Sequence, residues 1–123
     1  MAAVRYLVSD LDRAIAFYTG PLEFRQVERW GSAFAIVTRD GLTLWLSGPG
    51  ASAWRPMPDG RKPEPGGWNR LALQVPDLEA EIARLREAGI VFRNDVVTGP
   101  GGKQILAEDG CGNVIELFEN AKH

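Results

Sequence analysis

The alternation of apolar and polar residues divides the chain into two similar series of elements. In residues 1–8 the apolar side chains at 4, 6 and 8 follow the two-residue period of a half-buried strand. Asp10 is suited to cap a helix, and Gly20-Pro21 is suited to end it. Three more strands are predicted, at 24–29, 32–38 and 42–47. The first half is therefore predicted to be βαβββ.

The same series begins again after a stretch rich in proline and glycine. Residues 48–67 have no clear period, which predicts a long loop that is either a functional lid or a solvated linker. A strand at 70–75 then leads to a helix that Asp77 caps and that Gly89 stops. The remaining predicted strands are 91–94, 104–108 and 114–118.

An internal repeat supports this division. Val8-Ser9-Asp10-Leu11-Asp12 returns as Val75-Pro76-Asp77-Leu78-Glu79, an offset of 67 residues (77 − 10). Each half is about 60 residues, a length that is marginal for independent stability. The repeat therefore predicts a single domain over 1–123, with module one at 1–47, the loop at 48–67 and module two at 68–119.

Composition narrows the class of partner. The hydrophobic content of 45% and net charge of −2 are ordinary for a soluble globular protein and give no case for nucleic acid or an acidic membrane surface. No apolar stretch is long enough to cross a bilayer, and no signal peptide is expected at the N-terminus. Cys111 is the only cysteine, so no internal disulfide can form. A cytoplasmic protein is expected.

The order of the motifs resembles the vicinal oxygen chelate superfamily, also called the glyoxalase/bleomycin-resistance/dioxygenase superfamily. The segments that carry the resemblance are Val8 to Ala14, Phe17-Tyr18 with Leu22 and Phe24, Leu71-Ala72-Leu73 with Val75 to Leu78, Ala88-Gly89-Ile90, and Asp109 to Leu117. Two positions depart from the family pattern: Glu23, where members often have glycine, and Gly110, where they often have proline. The resemblance implies an α+β fold in which two βαβββ modules form a curled mixed-sheet cup, with the helices on the convex face. It also implies a homodimer.

The resemblance also implies four positions for metal ligands, which are usually histidine and glutamate in metal-using relatives. Here these positions are Ala3, Trp45, Arg70 and Glu116. Three of the four cannot bind a metal, and Arg70 carries a permanent positive charge. His123, the only histidine, is the last residue, where a frayed terminus is expected. We therefore expect neither a metal nor another cofactor, as in the bleomycin-resistance branch.

Strand alternation sorts the side chains of this cup. Leu71, Leu73 and Val75 are expected to face the helix, whereas Arg70, Ala72 and Gln74 face the cup. Glu116 and Arg70 are expected to form an ion pair that replaces the metal, to bind a polar ligand together, or both. The predicted ligand-binding residues are Arg5, Trp45, Ser47, Trp54, Arg70, Gln74, Glu116 and Phe118.

Three functions remain open from the sequence. The first is a metal-free protein that binds a small molecule, planar or amphipathic and possibly an antibiotic, and sequesters it. The second is a metal-independent lyase or isomerase with Glu116 as general base and Arg70 as anion stabiliser. It ranks second because a neighbouring guanidinium makes a carboxylate a poorer proton acceptor. The third is an interaction module whose cup is filled by its own loop, with Trp54 packed inside.

Overall fold

The computed structural model describes residues 1–122, which fall into two compact units. The first comprises residues 1–66 and the turn 110–112, and the second comprises residues 67–109 and the residues from Asn113 onward. His123 lies outside the described residues. The single domain over 1–123 stays a prediction. Within residues 1–122, no helix is both long and apolar enough to cross a membrane.

The first unit has the predicted βαβββ order. Its elements are β1 (Val4–Leu7), α1 (Leu11–Thr19), β2 (Arg25–Trp30), β3 (Phe34–Arg39) and β4 (Leu42–Ser47). The four strands form one mixed sheet in the order β1-β4-β3-β2. The outer strand β1 runs parallel to β4, and the other pairs are antiparallel.

Helix α1 covers one face of this sheet. It begins because the side chain of Asp10 accepts a hydrogen bond from the backbone N–H of Arg13. Leu11, Ala14 and Tyr18 are buried and belong to the same core as the inward residues of β3 and β4. Burying a side chain the size of leucine stabilises the fold by about 1.5–3 kcal/mol. The side chains on the opposite face of the sheet do not pack in this core.

The second unit repeats the same order. Its elements are β5 (Ala72–Gln74), α2 (Leu78–Glu87), β6 (Val97–Gly99), β7 (Gly102–Glu108) and β8 (Val114–Asn120). The sheet order is β5-β8-β7-β6, again with the first strand parallel to the last. The α+β class and the two βαβββ modules predicted from sequence are therefore confirmed.

Helix α2 also follows the predicted signals. The side chain of Asp77 accepts from the backbone N–H of Ala80, and Leu78, Ile82 and Leu85 are buried. Gly89, just beyond the helix, has φ +83°, a conformation that glycine adopts without strain. Before the helix, the alternating residues Leu71, Leu73 and Val75 are buried, as the two-residue period predicted.

The strand predicted at 91–94 is wrong. Only Phe92 forms a bridge there, with Ala107, and the strand that pairs with β7 is β6, further along the chain. Segment 91–94 still runs beside β7, since Arg93 donates its backbone N–H to the Leu106 carbonyl. The Leu106 N–H, however, donates to the side-chain Oδ1 of Asn94 at 2.9 Å. A side-chain acceptor thus replaces a backbone carbonyl and interrupts the regular ladder.

The segment predicted as a long loop, 48–67, contains one helical element. A 3₁₀ turn covers Ser52–Trp54, and a tight turn brings the Met57 N–H to the Arg61 carbonyl at 2.8 Å. The indole Nε1 of Trp54 donates to the backbone carbonyl of Ser47 at 2.8 Å. This bond ties the start of the loop to the end of β4.

Candidate functional site

The open face of the first sheet carries a group of aromatic side chains around an arginine. Arg5 on β1 lies opposite Trp45 on the parallel strand β4. Its guanidinium carbon is 5.0 Å from the centre of the Trp45 ring and 5.8 Å from that of Phe34. Both distances are within the range of cation–π attraction. The Nη1 atom of Arg5 also donates to Ser47 Oγ at 2.9 Å, which fixes the guanidinium over the rings.

The aromatic rings form a continuous row. Trp30 and Phe34 are stacked, with centroids 5.2 Å apart and an interplanar angle of 20°. Phe34 meets Trp45 edge to face at 5.9 Å. Trp30 is half exposed at 51%, so the row runs from solvent inward. We name the set Arg5, Trp30, Phe34, Trp45 and Ser47 the aromatic–arginine cluster.

The indole nitrogen of Trp45 lacks a hydrogen-bond partner. Its Nε1 atom is buried, and it is the single such side-chain atom found among residues 1–122. A buried donor left unsatisfied costs about 1–3 kcal/mol. Trp54 provides a contrast within the same unit, because its Nε1 donates to the Ser47 carbonyl. A ligand acceptor that bonded to Trp45 Nε1 would remove this cost.

A pocket of about 370 Å³ lies beside the cluster. Its lining residues are Arg5, Ala33, Phe34, Gly50, Ala51 and Ser52. The volume is at the small end of the range for small-molecule sites, about 300–1,000 Å³. The start of the loop forms one wall, and Trp54 is held at the end of β4 and does not line the pocket. Trp54 thus does not fill this pocket, and the interaction module stays a prediction.

In the second unit Arg70 and Glu116 form an ion pair. The Nε and Nη2 atoms of Arg70 lie 3.1 and 2.9 Å from Glu116 Oε1. The side chains are 26% and 14% exposed. Gln104, with its amide oriented to donate, places its nitrogen 2.8 and 2.9 Å from Glu116 Oε2 and Oε1. Both carboxylate oxygens therefore have protein donors.

These hydrogen bonds affect whether Glu116 can act as a general base. A general base needs a free lone pair directed at the substrate proton. The oxygens of Glu116 already accept hydrogen bonds from Arg70 and Gln104, with three of them on Oε1 and one on Oε2. Gln74 and Phe118 lie opposite one another on β5 and β8, and Phe118 is two residues beyond Glu116. Gln74 is exposed and Phe118 is half buried. The ion pair expected from sequence is thus confirmed, whereas ligand contact by these four residues stays a prediction.

The positions that the resemblance assigns to metal ligands do not fit a divalent cation. Ala3 has no donor atom, and the indole nitrogen of Trp45 carries a hydrogen and offers no lone pair. Arg70 brings a positive charge to within hydrogen-bond distance of Glu116, the only carboxylate of the four. Within residues 1–122, no group of three His, Cys, Asp or Glu side chains is placed to hold a metal ion.

Sequence reasoning found part of each cluster. Arg5, Trp45 and Ser47 lie together, with Trp54 attached to the same strand end, and their contact with a ligand stays a prediction. Phe34, Trp30 and Gln104 were missed. Hairpin register connects all three to predicted residues, because Phe34 lies opposite Ser47, Gln104 lies opposite Phe118, and Trp30 lies opposite Phe34.

Comparison with known proteins gives a consistent set of relatives. A family model described as the Glyoxalase/Bleomycin resistance protein/Dioxygenase superfamily matches residues 1–117. The uncharacterized protein YurT of Bacillus subtilis is 27% identical over 122 residues, which cover 91% of this chain and 92% of YurT. Lactoylglutathione lyase from Agrobacterium tumefaciens has a similar structure, with a TM-score of 0.74, 19% identity, and coverage of 97% of this chain and 92% of that one. The fosfomycin resistance protein FosX from Listeria monocytogenes has a TM-score of 0.73, 17% identity and coverage of 98% and 90%.

Proposed function

Because this chain belongs to the glyoxalase/bleomycin resistance protein/dioxygenase superfamily, we propose that it binds a planar or amphipathic small molecule without a metal and sequesters it. The observation that carries this proposal is the aromatic–arginine cluster. It combines a row of three rings, a guanidinium over two of them and a buried indole donor with no partner. Rings supply flat apolar contact area and the donors fix orientation, which is the usual composition of a small-molecule site.

The state of Glu116 favours sequestration over catalysis. The lyase or isomerase alternative requires this carboxylate to accept a proton from substrate. Its two oxygens are engaged by Arg70 and Gln104. Oε2 accepts from Gln104 alone, which leaves it one lone pair that a substrate proton would have to reach, so the enzyme remains the second candidate.

The metal-free part of the proposal rests on residue chemistry. Ala3, Trp45 and Arg70 supply no lone pair for a cation, and one carboxylate alone is a poor site. A role against a toxic compound, as the name of FosX indicates for that protein, is compatible with binding alone. We further propose that the protein acts in the cytoplasm as a homodimer.

A titration series tests the proposal. Aromatic antibiotics and acidic metabolites are titrated against the wild-type protein with tryptophan fluorescence and calorimetry as readouts, and each mixture is then analysed for product. Saturable binding without turnover is expected. Trp45→Ala should weaken binding by about 1–3 kcal/mol, because a large apolar contact is lost. Trp68→Ala is the control, since Trp68 is 74% exposed and lies outside the cluster.

The same series separates the rival function. Turnover that Glu116→Gln abolishes would establish the enzyme and overturn sequestration. Equal affinity of wild type and Trp45→Ala for every bound compound would show that the cluster is not the site.

A further inference from the structure

The charge of Arg5 is not balanced by a carboxylate. In the described part of the chain its side chain contacts the neutral hydroxyl of Ser47 and the two aromatic rings. Several other arginines are paired with acids, including Arg70 with Glu116 and Arg93 with Glu108. Arg5 is exposed, so the guanidinium is both accessible and uncompensated.

The pocket beside Arg5 also lacks a negative charge. None of its six lining residues is acidic, and the aromatic contribution comes from Phe34. Ser47, which anchors Arg5, is itself fully buried, so the guanidinium is tethered to a rigid point of the sheet. The pocket therefore presents one fixed positive charge next to flat apolar surface.

The unsatisfied indole N–H of Trp45 favours a ligand that carries a hydrogen-bond acceptor. Arg5 lies over the Trp45 ring, so the cation and the Nε1–H belong to the same small region. A neutral apolar ligand would leave this donor unsatisfied. An acceptor that reached both groups would satisfy the donor and the charge together.

We infer that the site selects a flat aromatic acid. Its ring packs along Phe34 and Trp30, and its anionic group accepts hydrogen bonds from the Arg5 guanidinium. Because Trp45 Nε1 is buried, the side chains around it shift on binding so that its N–H donates to the same group. This inference rests on the proposed binding function and names the chemical class of the ligand. Carboxylate, sulfonate and phosphate share the required chemistry, because each offers several oxygens to the guanidinium.

A pair of matched probes tests the selection. Naphthalene-2-carboxylate and 2-naphthamide have the same ring and nearly the same size, and they differ in charge. Calorimetric titration of the wild-type protein should show the acid binding about tenfold or more tighter than the amide, as expected for one charge-assisted hydrogen-bonded contact. Arg5→Gln should reduce this ratio to about one.

A charge-matched control accompanies this variant. Arg13→Gln removes the same charge from α1, which covers the opposite face of the sheet, and should keep the wild-type preference for the acid. Thermal unfolding of each variant confirms folding, and Arg5→Lys, which keeps the positive charge, should retain part of the preference. A preference that persists in Arg5→Gln, or equal binding of acid and amide by wild type, would overturn the inference while leaving the binding function intact. Failure of wild type to bind either probe would count against the proposed function itself.

The indole donor has its own readout. The protein contains four tryptophans, so four indole N–H signals are expected in a ¹⁵N-labelled sample. Trp45→Phe assigns the Trp45 signal, and saturation with naphthalene-2-carboxylate should move it downfield as a hydrogen bond forms. The Trp54 signal, already bonded to the Ser47 carbonyl, should move much less. A bound acid that leaves the Trp45 signal unchanged would refute the contact.

Discussion

Replacing Arg70 by methionine should destabilise the protein through the carboxylate it leaves behind. Methionine preserves most of the side-chain volume, so the main change is the loss of two N–H donors to Glu116 Oε1. The Glu116 side chain is only 14% exposed, and water cannot fully replace those donors. The Gln104 amide remains as a partial substitute.

The magnitude follows from burial. Breaking a fully buried pair costs about 3–5 kcal/mol, and an exposed pair contributes about 0–1 kcal/mol. The Arg70–Glu116 pair is intermediate, with Arg70 26% exposed, and Gln104 retains part of the solvation. We therefore expect a loss of about 2 kcal/mol in the free energy of unfolding, or about 5–10 °C in Tm for a chain of this size.

The second unit provides a matched control. Arg93 bonds Glu108 through the same two nitrogens, each 3.2 Å from Oε1, but these side chains are 40% and 39% exposed. Arg93→Met should therefore cost no more than about 0.5 kcal/mol. The double variant Arg70→Met/Glu116→Leu should be more stable than Arg70→Met alone, because it removes the stranded charge.

Urea unfolding is the assay, since guanidinium chloride would screen the ion pair. Three results are required: a clear loss in Arg70→Met, a small loss in Arg93→Met, and recovery in the double variant. If Arg70→Met and Arg93→Met are equally stable, burial does not set the strength of these pairs. If the double variant is less stable than the single, the stranded carboxylate is not the cause of the loss.

Three other predictions follow from the structure and the fold. After dialysis against zinc, nickel or manganese, elemental analysis should find no stoichiometric metal; one tightly held ion per chain that Glu116→Ala removes would contradict this. Light scattering at micromolar concentration should give twice the 13.5 kDa mass of the chain, and the mass of a single chain would exclude the dimer. Gly102→Ala should destabilise by about 2–4 kcal/mol, because φ is +144° and the added Cβ would lie 2.1 Å from the Glu119 carbonyl oxygen, whereas Gly99→Ala meets nothing within 4 Å and should be nearly neutral by thermal unfolding.

Much of the fold could be predicted because local signals and the repeat agree. Asp10 and Asp77 both cap helices, as their equivalent positions in the repeat indicate. The burial of Leu71, Leu73 and Val75 followed from the two-residue period. Each of these features depends on residues close together in sequence, which is where a single sequence is most informative.

The misplaced strand shows where such reasoning fails. Val91 and Phe92 gave an apolar signal, yet Val91 is 60% exposed and the pairing is interrupted by the side chain of Asn94. The strand that forms instead, β6, precedes a Gly-Pro-Gly-Gly turn and has three exposed residues. Its position is set by pairing with β7, a tertiary contact that overrides the local pattern.

The candidate site was predictable in its strand positions but not in its contacts. The resemblance identified Trp45 and Glu116 as site positions, and the structure places each on the last strand of its module, on a sheet face away from the core. The stacking of Trp30 on Phe34 depends on side-chain rotamers and on the register between β2 and β3. That register includes a bulge between Gln26 and Glu28, which the sequence does not indicate.

The alternation along β4 and β8 has a consequence for how such proteins evolve. Leu44 and Leu46, on either side of Trp45, are buried, and so is Leu117 beside Glu116. Neighbouring residues on these strands therefore have separate roles, one in the core and the other on the open face. A lineage can therefore change open-face residues without disturbing the core, and a paired residue such as Arg70 changes at least cost together with Glu116. Gain or loss of a metal ligand then requires substitutions at positions that do not contribute to the core. Divergence of chemistry on a constant scaffold is the expected outcome of drift in this architecture.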